Sequence, residues 1–127
     1  MLDHIGLTVA NFAEAKAFYL KALAPLGLGI VMEVTKEQTG GDEHAGFGHD
    51  NKPFFWIGTG DKPKGGLHVA FAAGSRTQVN EFYAAAMAAG ARDNGKPGVR
   101  PHYHPNYYAA FVIDKDGNNI EAVCHAP

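Results

Sequence analysis

His4-Ile5-Gly6-Leu7-Thr8-Val9 near the start of the chain and His68-Val69-Ala70-Phe71 in its middle open two stretches that repeat one another at an offset of 64 residues. Phe18-Tyr19 falls on Phe82-Tyr83 at the same shift. So do two helix-start signals, Asn11 with Glu14 and Ser75 with Gln78, in which a capping side chain is answered three residues on. Further down, Ala45, Phe47 and Asp50 fall on Ala109, Phe111 and Asp114 without a gap. Such a period is the signature of one supersecondary unit used twice.

Each opening run alternates apolar with small or polar residues, the mark of a half-buried strand. A helix follows. Ala15, Phe18, Tyr19, Ala22 and Leu26 recur at helical spacing in the first unit, and Val79, Phe82, Tyr83 and Met87 do so in the second before Gly90 supplies a stop. Phe18, Tyr19, Phe82 and Tyr83 are assigned to helix–sheet packing. Three more strands are expected in each unit, near 29–35, 44–48 and 54–59, then near 91–94, 107–113 and 119–125. The Asp116-Gly117 turn supports the last pair as a hairpin. The fold class read from this order is α+β, two tandem βαβββ units in a single domain. Unit 1 covers about 1–59, a polar linker Gly60 to Gly65, and unit 2 about 66–127. The stretch Asn94 to Asn106 holds three Pro and two Gly and is read as an irregular loop.

Composition narrows the function classes. The 127 residues carry 11 Lys+Arg against 13 Asp+Glu, for a net charge of -2, and no basic stripe, so neither nucleic acid nor an anionic membrane is an expected partner. The lone Cys124 forms no internal disulfide. No apolar stretch approaches the ~20 residues a bilayer demands, and the first residues lack the charged and apolar regions of a signal peptide; a cytoplasmic protein is expected. Seven His in so small a chain stand out, because imidazole is both a common metal ligand and the side chain that titrates near neutrality.

Strand alternation sorts these histidines. Ile5, Leu7 and Val9 belong to one face and His4, Gly6 and Thr8 to the other; Val69 and Phe71 oppose His68, Ala70 and Ala72. In the final strand Glu121, Val123 and His125 share a face. A carboxylate inside the apolar run Ile120 to Cys124 is costly if buried without a partner. Packing of the two units about a pseudo-twofold would bring two imidazoles and this carboxylate together.

These two His-led runs, with Asp114-Lys115-Asp116-Gly117-Asn118-Asn119-Ile120-Glu121, resemble the vicinal oxygen chelate superfamily over essentially the whole chain. Its members include glyoxalases, bleomycin-resistance proteins, thiol transferases that inactivate fosfomycin, and extradiol dioxygenases. The resemblance implies curved mixed sheets around a cavity and a divalent metal ion (Fe, Mn, Zn, Ni or Mg) held by His4, His68 and Glu121. Two His and one Glu form a facial triad that leaves positions for water and substrate oxygens. Some relatives add a fourth ligand, a Glu that also moves a proton in glyoxalases; the 64-residue offset places Ile57 there, so the usual glyoxalase reaction is not expected. The resemblance also implies a homodimer whose cavities are shared between chains. The expected function is a metal-dependent enzyme acting on a small oxygenated substrate by lyase, isomerase, transferase or dioxygenase chemistry. The alternative is a metal-free small-molecule binding protein of the bleomycin-resistance type.

Substrate-binding candidates surround these ligands. Trp56, with Phe54 and Phe55, is suited to wall a pocket. Arg100, His102, Tyr103 and His104 lie in the Pro-rich loop, where fixed donors can close over an anionic ligand or simply remain solvated. Tyr107 and Tyr108 begin the next strand, one to face the cavity and one away, and Tyr107 joins the candidates. His125 shares the Glu121 face as a supporting donor or a solvated terminal residue, and His44 and His49 are read as structural.

Overall fold

Alternating strands followed by a single amphipathic helix fold here into two sheets, each completed by its own last strand. The computed structural model describes residues 1–127. Unit 1 consists of β1 (Ile5–Thr8), α1 (Phe12–Leu23), a 3-10 turn Ala24–Leu26, β2 (Gly29–Val34), a short helix α2 (Lys36–Thr39), β3 (His44–His49) and β4 (Lys52–Gly58). Unit 2 repeats the order as β5 (His68–Ala72), α3 (Arg76–Ala88), β6 (Arg92–Val99), β7 (Tyr108–Ile113) and β8 (Asn119–Cys124). The sheets run β1-β4-β3-β2 and β5-β8-β7-β6. In each, the first strand is parallel to the last and the remaining pairs are antiparallel. Residues 59–67 lie outside helix and strand.

The two long helices, α1 and α3, start where their caps predict. The Asn11 side chain accepts from the Glu14 amide at 3.0 Å and Ser75 Oγ from the Gln78 amide at 3.2 Å, each satisfying an otherwise orphaned first-turn donor. Leu7, Val9, Val69 and Phe71 point to the helix side, where α1 and α3 also pack on each other, so the units share one core. The opposite face of both first strands is open: His4, Gly6, Thr8, His68, Ala70 and Ala72 are all exposed. No helix is long and apolar enough to cross a membrane.

Asp114 ties the two units together. It is buried, its Oδ1 accepts from the amides of Asp116 and Asn118 at 3.0 and 2.8 Å, and its Oδ2 accepts from the Tyr19 hydroxyl at 2.5 Å and Asn118 Nδ2 at 3.2 Å. The β7–β8 turn is thereby organised around a carboxylate that also anchors α1. Tyr19, assigned above to packing alone, is a donor as well. Burial first, and the Asp114 carboxylate second, hold its hydroxyl protonated well above the usual 10. The contribution of this bond is whole below pH 10, where the unfolded phenol is still protonated, and is lost only as the pH rises beyond that.

Two expectations are corrected. The strand placed near 91–94 runs on to Val99, with its register shifting between Asp93 and Gly95 and again between Gly95 and Gly98; Gly95, at φ 154, has a backbone that other residues rarely adopt. Pro97 is accommodated because β6 is an edge strand. The irregular loop therefore shrinks to the turn between β6 and β7, closed by Arg100 N–H to Tyr107 O at 2.7 Å.

The second correction concerns the repeat itself. Gly6 pairs with Trp56 as Ala70 pairs with Glu121, and Gly46 pairs with Trp56 as Phe111 pairs with Glu121. The offset is 64 in the first strands but 65 in the last two, because one extra residue enters unit 2 ahead of β7. Phe47 is consequently buried in the core while Phe111 lies on the other face, against His68. A one-residue slip moves a whole strand's side chains between faces. The place equivalent to Glu121 in unit 1 is thus Trp56, and Ile57 is a core residue.

Candidate functional site

Register alone brings a histidine to a carboxylate. Strand β5 is parallel to β8 with Ala70 opposite Glu121, so His68, one pleat away on the same face, reaches across. His68 Nε2 lies 2.8 Å from Glu121 Oε1. The carboxylate is 1% exposed, whereas the imidazole side chain is 53% exposed, so the pair presents a buried floor and an accessible ring. Glu121 Oε2 accepts a hydrogen bond from the Tyr107 hydroxyl. The partner that a buried carboxylate demands is therefore a pair, one on each oxygen.

Tyr107 resolves the choice between the two tyrosines. Its ring lies on the Glu121 face, while Tyr108 turns to the helix side, donates to Asn80 Oδ1 at 2.7 Å and carries the Arg76 guanidinium over its ring. Burial, then the hydrogen bond and charge of Glu121, push the Tyr107 hydroxyl up to about 12. It remains a donor at neutral pH. The Tyr107 ring is flanked by Tyr103 at 5.1 Å and edge-on by His125 at 5.2 Å, and His104 lies 5.8 Å from His125. His125 therefore touches this tyrosine's ring.

The other candidates divide. His102 stacks on exposed Tyr103 at 4.2 Å, so both belong to the aromatic rim around Tyr107. Arg100 sits over the Phe111 ring at 5.4 Å, but its guanidinium donates to Gly98 O and Lys96 O at 2.8 and 2.7 Å; it staples its own turn. Trp56 lies on the open face of the other sheet, packed so closely over Gly46 that a Cβ there would stand 2.9 Å from its ring.

His4 is exposed at the head of β1, with Nδ1 2.7 Å from Asp3 Oδ2, and Asp3 also takes Lys52 Nζ at 2.7 Å. Lys52 first, then His4, lowers the Asp3 carboxyl below its usual range. His4 and His68 line one cleft of about 480 Å³ between β1 and β5, together with Leu2, Phe54, Ala70 and Ala72. Within the chain, however, no three His, Cys, Asp or Glu side chains converge as a metal site. The structure brings His68 to Glu121 and leaves His4 with Asp3.

The donor chemistry of the pair suits a divalent ion. An imidazole nitrogen and a carboxylate oxygen are donor types that such ions take, and here they stand in hydrogen-bond contact, 2.8 Å between Nε2 and Oε1. Sequence reasoning found both residues but missed what Tyr107 does. The signal was present at the entry to β7, where Tyr107, just ahead of the strand, continues the alternation of Ala109 and Phe111 onto the Glu121 face.

Comparison with known proteins agrees with this architecture. Residues 1–122 match the family model described as the Glyoxalase/Bleomycin resistance protein/Dioxygenase superfamily. Among solved structures, a glyoxalase/bleomycin resistance protein from Albidiferax ferrireducens is 28% identical with a TM-score of 0.80, covering 100% of this chain and 99% of that one. Glyoxalase I from Zea mays is 18% identical with a TM-score of 0.74, over 97% of this chain and 45% of that one. A genomically encoded fosfomycin resistance protein from Listeria monocytogenes, crystallised as a glutamate-to-glutamine mutant with Mn(II) and 1S,2S-dihydroxypropylphosphonic acid, is 18% identical with a TM-score of 0.67, over 97% and 88%. No protein of curated function matches in sequence.

Proposed function

Since the chain belongs to the Glyoxalase/Bleomycin resistance protein/Dioxygenase superfamily, we propose that it is a homodimeric, divalent-metal-dependent enzyme acting on a small oxygenated substrate. The observation that carries this reading is the buried Glu121 carboxylate with the exposed His68 imidazole beside it, Nε2 2.8 Å from Oε1. His68 and Glu121 would hold the ion from one chain and His4 from a second, because no third ligand joins the pair within a single chain and His4 and His68 are exposed. A bound ion supplies Lewis acidity toward a substrate oxygen. The chain's own residues do the rest: Tyr107 fixes the carboxylate, and the rim of Tyr103, His102 and Tyr107 borders the place a substrate would enter.

Elemental analysis of protein purified without chelator tests the metal. Near-stoichiometric divalent metal is expected in the parent, and Glu121→Gln is expected to weaken its binding by at least about tenfold, since even changes behind a ligand cost that much. Metal-free parent protein would favour small-molecule sequestration instead.

The usual glyoxalase I reaction is not expected of this chain. Trp56 occupies the place related to Glu121 by strand pairing and offers no base to move a proton. The hemithioacetal of methylglyoxal and glutathione is expected to show no turnover above background with metal-loaded protein. A rate that depends on His68 would overturn this.

A further inference from the structure

Tyr107 is fixed at every point that could move it. Its N–H donates to His104 O at 3.1 Å, its carbonyl accepts from the Arg100 amide at 2.7 Å, its ring is flanked by Tyr103 and His125, and its hydroxyl is spent on Glu121 Oε2. Oε2 belongs to a carboxylate that is 1% exposed, so no bulk water competes for it. The other oxygen, Oε1, is the one beside His68 Nε2, at 2.8 Å.

We infer that Tyr107 is a specificity-determining residue which, by holding Glu121 Oε2, leaves the carboxylate one oxygen for an ion and so selects small six-coordinate cations over large ones. This rests on the metal reading above. Large cations such as Ca²⁺ take six to eight oxygens and readily accept both oxygens of one carboxylate, whereas smaller ions in octahedral surroundings are satisfied with one. The tethered oxygen penalises the first class and not the second. Removing the hydroxyl leaves Oε2 buried without a donor, a costly state that a second bond to a large ion relieves.

The test is calorimetric titration of chelator-stripped protein with Mn²⁺ and, separately, Ca²⁺, for the parent, Tyr107→Phe, Tyr108→Phe and Glu121→Gln. Tyr107→Phe is expected to shrink the Mn²⁺ over Ca²⁺ preference by at least about tenfold, the lower end for a group behind a ligand. Tyr108→Phe, whose hydroxyl donates to Asn80 on the helix side, is expected to leave the preference unchanged. An unchanged ratio in folded Tyr107→Phe, or an equal shift in Tyr108→Phe, overturns the inference while the metal reading stands. Absence of Mn²⁺ binding in the parent, or full binding by Glu121→Gln, overturns the metal reading and the inference with it. Infrared difference spectra of Mn²⁺-loaded parent against Glu121→Gln need no change at Tyr107: a wide splitting of the carboxylate stretches marks one-oxygen binding, and a narrow one refutes the selection.

Discussion

Mixing a His4→Ala chain with a Glu121→Gln chain is expected to restore tight metal binding that neither homodimer possesses. If a site takes His4 from one chain and His68 with Glu121 from the other, a mixed dimer has one site carrying both lesions and one carrying none. The intact site should bind with parental affinity, giving one tight ion per mixed dimer against sites weakened by at least about tenfold in each homodimer. The physical ground is that a single chain brings only two ligands together: His68 Nε2 is 2.8 Å from Glu121 Oε1, while His4 is paired with Asp3 and no third ligand joins them. Co-expressed chains with different affinity tags allow verified mixed dimers to be isolated and titrated. Were each site built within one chain, every site would keep a lesion and mixing would recover nothing. That result would reject the shared site.

Asp114→Ala is expected to destabilise the protein by about 3–4 kcal/mol, measured by denaturant unfolding, the size expected when a buried hydrogen-bonding centre is removed and its donors are left without partners. The carboxylate serves two main-chain amides of its own turn, the Asn118 side chain and the Tyr19 hydroxyl, and Tyr19 is itself only 1% exposed. Tyr19→Phe removes the donor without stranding a group of its own and keeps the ring packing, so about 1.5–2 kcal/mol is expected. The double mutant should cost less than the sum of the two single changes, because both erase one shared bond. Strict additivity would mean that Asp114 acts only within its turn and does not couple the units.

Much of the fold was legible because the same signals occur twice. The paired His-led strands and the paired helix caps set the order of elements, and the alternation of Ile120, Ala122 and Cys124 against Glu121 and Val123 placed the carboxylate on the face of His68. What could not be read was a count of residues hidden in irregular backbone. Bulges at Gly95 and Gly98 lengthen β6, and the extra residue ahead of β7 moves the unit 1 counterpart of Glu121 from Ile57 to Trp56. Identity at a fixed offset, such as Phe47 with Phe111, is no guard against this, since an aromatic suits either face. Tyr107 was ambiguous for a similar reason: adjacent tyrosines satisfy both faces of a strand, and only the loop behind them decides which one meets Glu121. The destination of Arg100 was beyond sequence too, because its acceptors are main-chain carbonyls, which every residue carries.

The pairing order also sets a timetable. Strand β1 has hydrogen-bonding contact only with β4, and β5 only with β8, so during synthesis the first strand of each unit stays unpaired until the last has been made. Hairpin β3–β4 can close locally and early, whereas docking β1 requires closing a loop that spans nearly the whole unit, which is the slow class of folding event. Tyr19 waits longer still, because Asp114 emerges near the end of the chain. A bond formed that late is absent from the early nucleus, and interactions of that kind slow unfolding rather than hasten folding. The duplicated architecture thus assembles each half from its tail backward, with the link between halves acting as a brake on escape.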